Sequence, residues 1–223
     1  MSASLDLPVI APGATAAIAG AHGAERERLM RRGRRLAWLG VGWHAVEAAV
    51  AVVAGASAGS IALVGFGADS VIEAAAGLVV LWLLSGARRG SPAAERCSQR
   101  LVALSFYALA AYVMVEAAYG LAAGDRPDAS PLGIGLAALT AATMPPLAVA
   151  KGRVAAALGS PATRSESRQN VLCAYLSVAL LAGLGGNALA GWWWLDPIVA
   201  LLIGAVAARE GRESWRGEAC GCC

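Results

Sequence analysis

Six apolar segments, at residues 37–56, 61–85, 101–123, 131–150, 168–190 and 194–208, alternate with short polar connections along the chain. Most of them approach the ~20 residues that an α-helix needs to cross a hydrocarbon core of ~30 Å. In lipid no water is at hand to satisfy backbone N–H and C=O groups, so segments of this length can cross only as helices. Composition agrees, since 58% of the residues are hydrophobic and 15% charged, against ~25% charged in ordinary soluble domains. The chain is therefore read as an all-α membrane protein with six transmembrane helices.

The arginines set its orientation. Arg26, Arg28, Arg31, Arg32, Arg34 and Arg35 precede the first segment, and Arg88, Arg89, Arg96 and Arg100 lie between the second and third. Lys151, Arg153, Arg164 and Arg168 follow the fourth, and Arg209, Arg212 and Arg216 follow the sixth. Of all the basic residues only Arg126 falls in the other connections. By the positive-inside rule the basic side is cytoplasmic, and an even number of spans puts both termini there, in a plasma (inner) membrane. Trp192, Trp193 and Trp194 then anchor the outer interface. The net charge of +3 comes from this placement rather than from a basic patch, so nucleic acid is not an expected partner. Residues 1–35 read as a flexible arm ending in an amphipathic stretch, 36–210 as the transmembrane domain and 211–223 as a short tail. No cleaved signal is evident.

The chain carries no phosphate loop, no dinucleotide fingerprint and no nucleophile elbow. Neither an enzyme nor an ATP-driven pump is supported, and no prosthetic group is expected. Transport, if the chain performs it, must draw on an ion gradient.

The ionisable residues inside the spans carry the functional argument, because each costs at least ~2.5 kcal/mol at mid-membrane and is seldom kept without a use. Asp69 and Glu73 stand one helical turn apart in the second span. Two carboxylates so placed repel unless a cation or a proton lies between them. His44 and Glu47 share a face of the first span, Glu116 lies in the third, and Glu166, Gln169 and Cys173 stack along one face of the fifth. At 1.5 Å per residue Asp69 is roughly 12 Å and Glu73 roughly 18 Å from the outer end of the second span, while Cys173 is roughly 10 Å from the inner end of the fifth. A shared site is geometrically reasonable. Carboxylate and amide oxygens with a thiolate suit a divalent metal such as Zn²⁺ better than Mg²⁺ or Ca²⁺. His44, Glu47 and Glu116 remain as candidates for a proton or metal path.

From about Gly40 to Gly211 the sequence resembles the cation diffusion facilitators, or cation efflux proteins. The resemblance rests on AGSIALVGFGADSVIE in the second span, on SPLGIGLAAL and KGRVAAALGS around the fourth, and on GWWWLDPIVALLIGAVAAREG at the sixth. It implies six helices that move Zn²⁺ and related metals against protons, often as a homodimer. It also implies a metal site built from Asp69 and Glu73 together with a His and an Asp position on the fifth helix. Those two positions are Gln169 and Cys173 here. A thiol in place of a carboxylate points to a softer ion, Zn²⁺ or Cd²⁺ ahead of Co²⁺ or Mn²⁺. Only 12 residues follow Gly211, so the cytoplasmic sensing domain common in the family is expected to be missing.

The resulting expectation is a secondary transporter that exports a divalent transition metal from the cytoplasm in exchange for protons. Asp69, Glu73, Cys173 and either Gln169 or Glu166 hold the ion. Cys220, Cys222 and Cys223 read as a cytoplasmic thiolate hook or as a plain reduced tail. The competing reading is a membrane metal-binding or partner-binding protein that keeps the fold without transport.

Overall fold

The computed structural model describes residues 12–84, 92–124 and 126–216. It consists of six helices, α1 (Pro12–Ala58), α2 (Ile61–Leu84), α3 (Pro92–Ala123), α4 (Pro131–Leu158), α5 (Pro161–Ala190) and α6 (Leu195–Arg216), with no strand among the described residues. The protein is an all-α membrane protein.

Local chemistry sets the helix boundaries. α4 and α5 both begin with Ser-Pro: Ser130 Oγ accepts from Gly133 N and Ser160 Oγ from Thr163 N, while Pro131 and Pro161 take the first helical position. A proline is at little cost there because its missing N–H would have had no partner. α4 and α5 end at Gly159 and Gly191 with φ of 62° and 67°, a left-handed turn that a β-carbon would strain. Pro145 and Pro146 lie inside α4, which continues through them. They remove the N–H partners of the carbonyls at 141 and 142.

Several helices extend beyond the apolar segments read from the sequence. α1 is continuous over 47 residues, so from Pro12 onward the arm and the first span form one helix; the Arg-rich stretch holds a helical ion pair, Arg31 to Glu27 at 3.3 Å. Five helices are long and apolar enough to cross a membrane. α6 is shorter in its apolar part, because Arg209, Glu210, Arg212 and Glu213 occupy its last turns.

α1, α2, α4 and α5 pack around a common centre, with α1 against α2 and α4, and α5 against α4 and α2. α3 and α6 form a second pair, which lies against α2 and α5. Small residues allow the close approaches that helices in lipid depend on. A β-carbon on Gly55 of α1 would sit 2.8 Å from the backbone nitrogen of Val64 on α2, and one on Gly204 of α6 would sit 2.7 Å from Met114 on α3.

Burial is inverted relative to a water-soluble protein. Leu39, Val53, Val115, Val149, Val178 and Leu189 are exposed, whereas His44, Glu47, Asp69, Glu73, Lys151, Glu166 and Asn170 are buried. This is the arrangement of a bundle whose solvent is lipid and whose polar groups face one another.

One end of the bundle is tied by the loops. Asp196 at the start of α6 accepts from Ser60 Oγ and, at 3.2 Å, from Ala62 N, so it caps α2 from across the bundle. Asp128 N donates to Ala58 O at 2.8 Å, and Asn187 Nδ2 donates to Pro127 O at 2.8 Å. Trp192 stacks on Trp194 at 6.3 Å between ring centroids, and Arg126 lies over the Trp193 ring at 6.0 Å. These are the contacts of an aromatic interface belt.

Candidate metal centre

His44 and Glu47 come from α1, Glu73 from α2 and Cys173 from α5. All four are buried, and one ligand atom from each lies within 4.8 Å of the others. The helices bring them together because each contributes its polar residue from the face turned to the common centre.

Around these four, hydrogen bonds fix Glu47 first. Its Oε2 accepts from Ser70 Oγ at 3.0 Å and faces His44 Nδ1 at 3.0 Å, and its Oε1 accepts from Thr140 Oγ1. Glu73 is held less completely. Its Oε2 stands 3.1 Å from His44 Nδ1, but one ring N–H can serve one carboxylate well, and the hydrogen-bond geometry is met toward Glu47. Glu73 Oε2 is thus a buried carboxylate oxygen without a hydrogen bond. Such an oxygen is costly unless something binds it.

Asp69, one turn earlier on α2, is not among these four. With Gln169 and Glu73 it lines a narrow pocket of about 10 Å³ between α2, α5 and the α3–α6 pair, whose walls also include Phe106, Leu176 and Glu210. That is room for about one water-sized particle. Asp69 makes no ion pair with a basic residue among those described. Glu73 is common to both groups, since it lines the pocket with Asp69 and Gln169 and clusters with His44, Glu47 and Cys173.

Glu166 is engaged elsewhere. Its Oε1 lies 2.6 Å from Lys151 Nζ, which also donates to Asn170 Oδ1 at 2.9 Å. The pair is buried against Gly40 of α1 and Gly77 of α2, where added β-carbons would stand 2.6 Å from Lys151 Nζ and 3.4 Å from Glu166 Oε1. Lys151, counted above among the basic residues of a cytoplasmic connection, is in fact an internal cation. The remaining arginines carry the orientation argument without it. Glu116 is partly buried on α3 and belongs to neither carboxylate group. Cys220, Cys222 and Cys223 lie outside the described residues.

Ser70, Thr140 and Asn170 escaped the sequence reading, and Lys151 entered it only as a basic residue of a connection. Ser, Thr and Asn are common in membrane helices and give no signal alone. Lys151 closes the apolar run of the fourth segment, and a Lys at such a position reads equally well as the start of a polar connection.

In chemical terms the centre offers oxygens, one thiol and one imidazole in a water-poor interior, a donor set for a divalent transition metal rather than an alkali or alkaline-earth ion. Residues 38–216 match the family model of the cation efflux transmembrane domain. An uncharacterized transporter of Synechocystis sp. is 28% identical over 182 residues, covering 78% of this chain and 59% of the relative. The chain thus matches less than two thirds of that relative's length. The match to the transmembrane domain takes in most of the chain and all three helices that build the centre, and on that ground the chain belongs to the cation efflux family.

Proposed function

We propose that the protein is a secondary transporter that exports a divalent transition metal, Zn²⁺ or a softer ion such as Cd²⁺, from the cytoplasm in exchange for protons. The observation that carries this reading is Glu73: a buried carboxylate with an oxygen lacking a hydrogen bond, which lines a pocket with Asp69 and Gln169 and clusters with Cys173. Two carboxylates at one site, in a bundle whose exterior is apolar, favour a divalent cation over either side's repulsion.

In this reading Asp69, Glu73, Gln169 and Cys173 take the ion, and Glu47 and His44 stand within reach of it. Glu166 acts through its pair with Lys151 rather than as a ligand. Metal and protons compete for the same oxygens and sulfur, because a ligand atom must be free of its proton to bind. Loading from the cytoplasm and proton entry from outside then drive export. The termini are cytoplasmic, the tail cysteines deliver soft metal from that side, and two copies associate in the membrane.

Reconstituted liposomes test the proposal. A wild-type protein should move Zn²⁺ or Cd²⁺ with opposite proton movement, and Asp69→Ala combined with Glu73→Ala should abolish it. Flux that survives the double substitution would sink the site. Gln169, at a position where the family resemblance implies His, favours the alternative of a binding protein without transport. Metal binding with no flux in the wild-type protein would decide for that alternative.

A further inference from the structure

Lys151 Nζ stands 2.6 Å from Glu166 Oε1 and 2.9 Å from Asn170 Oδ1. An ammonium group has only donors, so the half of the Asn170 amide that faces it must be the carbonyl oxygen. Turning the amide over would set NH₂ against NH₃⁺ in a buried site. The NH₂ group is therefore aimed the other way, where it meets Met144 Sδ at 3.0 Å and His44 Nε2 at 3.4 Å. It too can only donate, which requires a lone pair on Nε2. The ring proton then sits on Nδ1, the nitrogen that faces Glu47 Oε2 at 3.0 Å and Glu73 Oε2 at 3.1 Å.

We propose that Lys151 is a positioning residue: through Asn170 it holds His44 in the Nδ1–H tautomer, so that His44 serves Glu47 as a hydrogen-bond donor and is not a metal ligand. The chain of contacts runs through α4, α5 and α1 and ends at the carboxylates of α1 and α2. In this tautomer neither ring lone pair is offered to the space between Glu73 and Cys173, since Nδ1 carries the proton and Nε2 is turned to Asn170. A metal entering there meets oxygen and sulfur, with imidazole one layer behind, which is how a supporting group orients the atoms that bind. Naming the carboxylates as metal ligands rests on the transporter reading; the tautomer does not.

The test is ¹⁵N spectroscopy on the full chain in bilayers, labelled at histidine and freed of metal by chelation. The chain has 2 histidines, and His44→Gln identifies the signals of the one that matters. The wild-type spectrum should show a protonated Nδ1 and a bare Nε2. Lys151→Met releases the amide to turn its oxygen to Nε2, and Asn170→Asp presents a carboxylate there; each should put a proton on Nε2 and move its signal from the pyridine-type to the pyrrole-type region. Should Lys151→Met fail to fold, the near-isosteric Asn170→Asp still answers. A wild-type Nε2 that carries a proton overturns the proposal, and so do folded variants in which Nε2 stays bare. Because the readout needs neither metal nor flux, a failure of transport leaves it standing, and its own failure leaves the transport reading untouched.

Discussion

The ammonium of Lys151 lies 2.6 Å from Glu166 Oε1 with both side chains buried between α1, α2, α4 and α5. Removing one member strands the other charge in a low-dielectric interior, which typically costs ~3–5 kcal/mol. Lys151→Met should therefore lower the unfolding free energy by about that amount. Combining it with Glu166→Gln should restore most of the loss, because both charges then disappear together. Chemical unfolding in detergent, arranged as a double-mutant cycle, measures the coupling; additive losses would show that the pair is not a unit.

Glu73 touches both carboxylate groups, whereas Asp69 lines only the pocket shared with Gln169. Glu73→Gln should then weaken Cd²⁺ binding more than Asp69→Asn does. Loss of a merely supporting partner costs ~10–100-fold in metal affinity, and the Glu73 substitution should exceed ~100-fold. Titration calorimetry on the purified protein gives both constants, and equal effects would contradict a central place for Glu73.

Cys173 is a buried free thiol whose sulfur lies within 4.8 Å of a Glu73 carboxylate oxygen. If it binds as thiolate, Co²⁺ added to the wild-type protein should produce a sulfur-to-metal charge-transfer absorption that is missing in Cys173→Ser. Cys173→Asp should shift preference from Cd²⁺ toward Zn²⁺ and Mn²⁺, as a hard ligand replaces a soft one. An unchanged spectrum in Cys173→Ser would leave the thiol as packing alone.

Asp196 accepts from Ser60 Oγ and from Ala62 N and thereby joins the first turn of α6 to that of α2. Asp196→Ala removes a cap and should cost ~0.5–2 kcal/mol, without changing metal affinity at a site roughly 12 to 18 Å further along α2. Asp196→Asn, which keeps one acceptor, should lose less. Thermal unfolding with parallel metal titration separates the two effects.

How much was legible beforehand depended on the kind of residue. Asp69 and Glu73 stood out because a charge in an apolar run is costly wherever the neighbours lie. The His44–Glu47 pair was visible as two polar residues on one face, and the structure joins it to Glu73 and Cys173. Ser70, Thr140 and Asn170 gave no such signal, since a hydroxyl or amide in a membrane helix can bond to its own backbone and owes nothing to a partner. Glu166 was assigned by spacing to the face of Gln169 and Cys173, which is right for the helix, but spacing does not reveal that Lys151 reaches it from α4. The Ser-Pro and Gly boundaries of α4 and α5 were written in residues that act locally. The continuity of α1 was not, because Arg and Glu form helix as readily at a surface as inside one.

Sequence alone determined that the chain forms long apolar helices, that few charges enter them, and which face of each helix those charges share. Those properties follow from hydrocarbon solvation and from the 3.6-residue turn, and both act within a single helix. Only the tertiary structure decided which faces meet, that Glu73 is common to two polar groups, and that Lys151 points inward to Glu166 and Asn170. The reason is that helical period gives the direction of a side chain relative to its own axis, while the rotation of one axis against the next comes from small-residue contacts such as Gly40 at Lys151 and Gly55 at Val64.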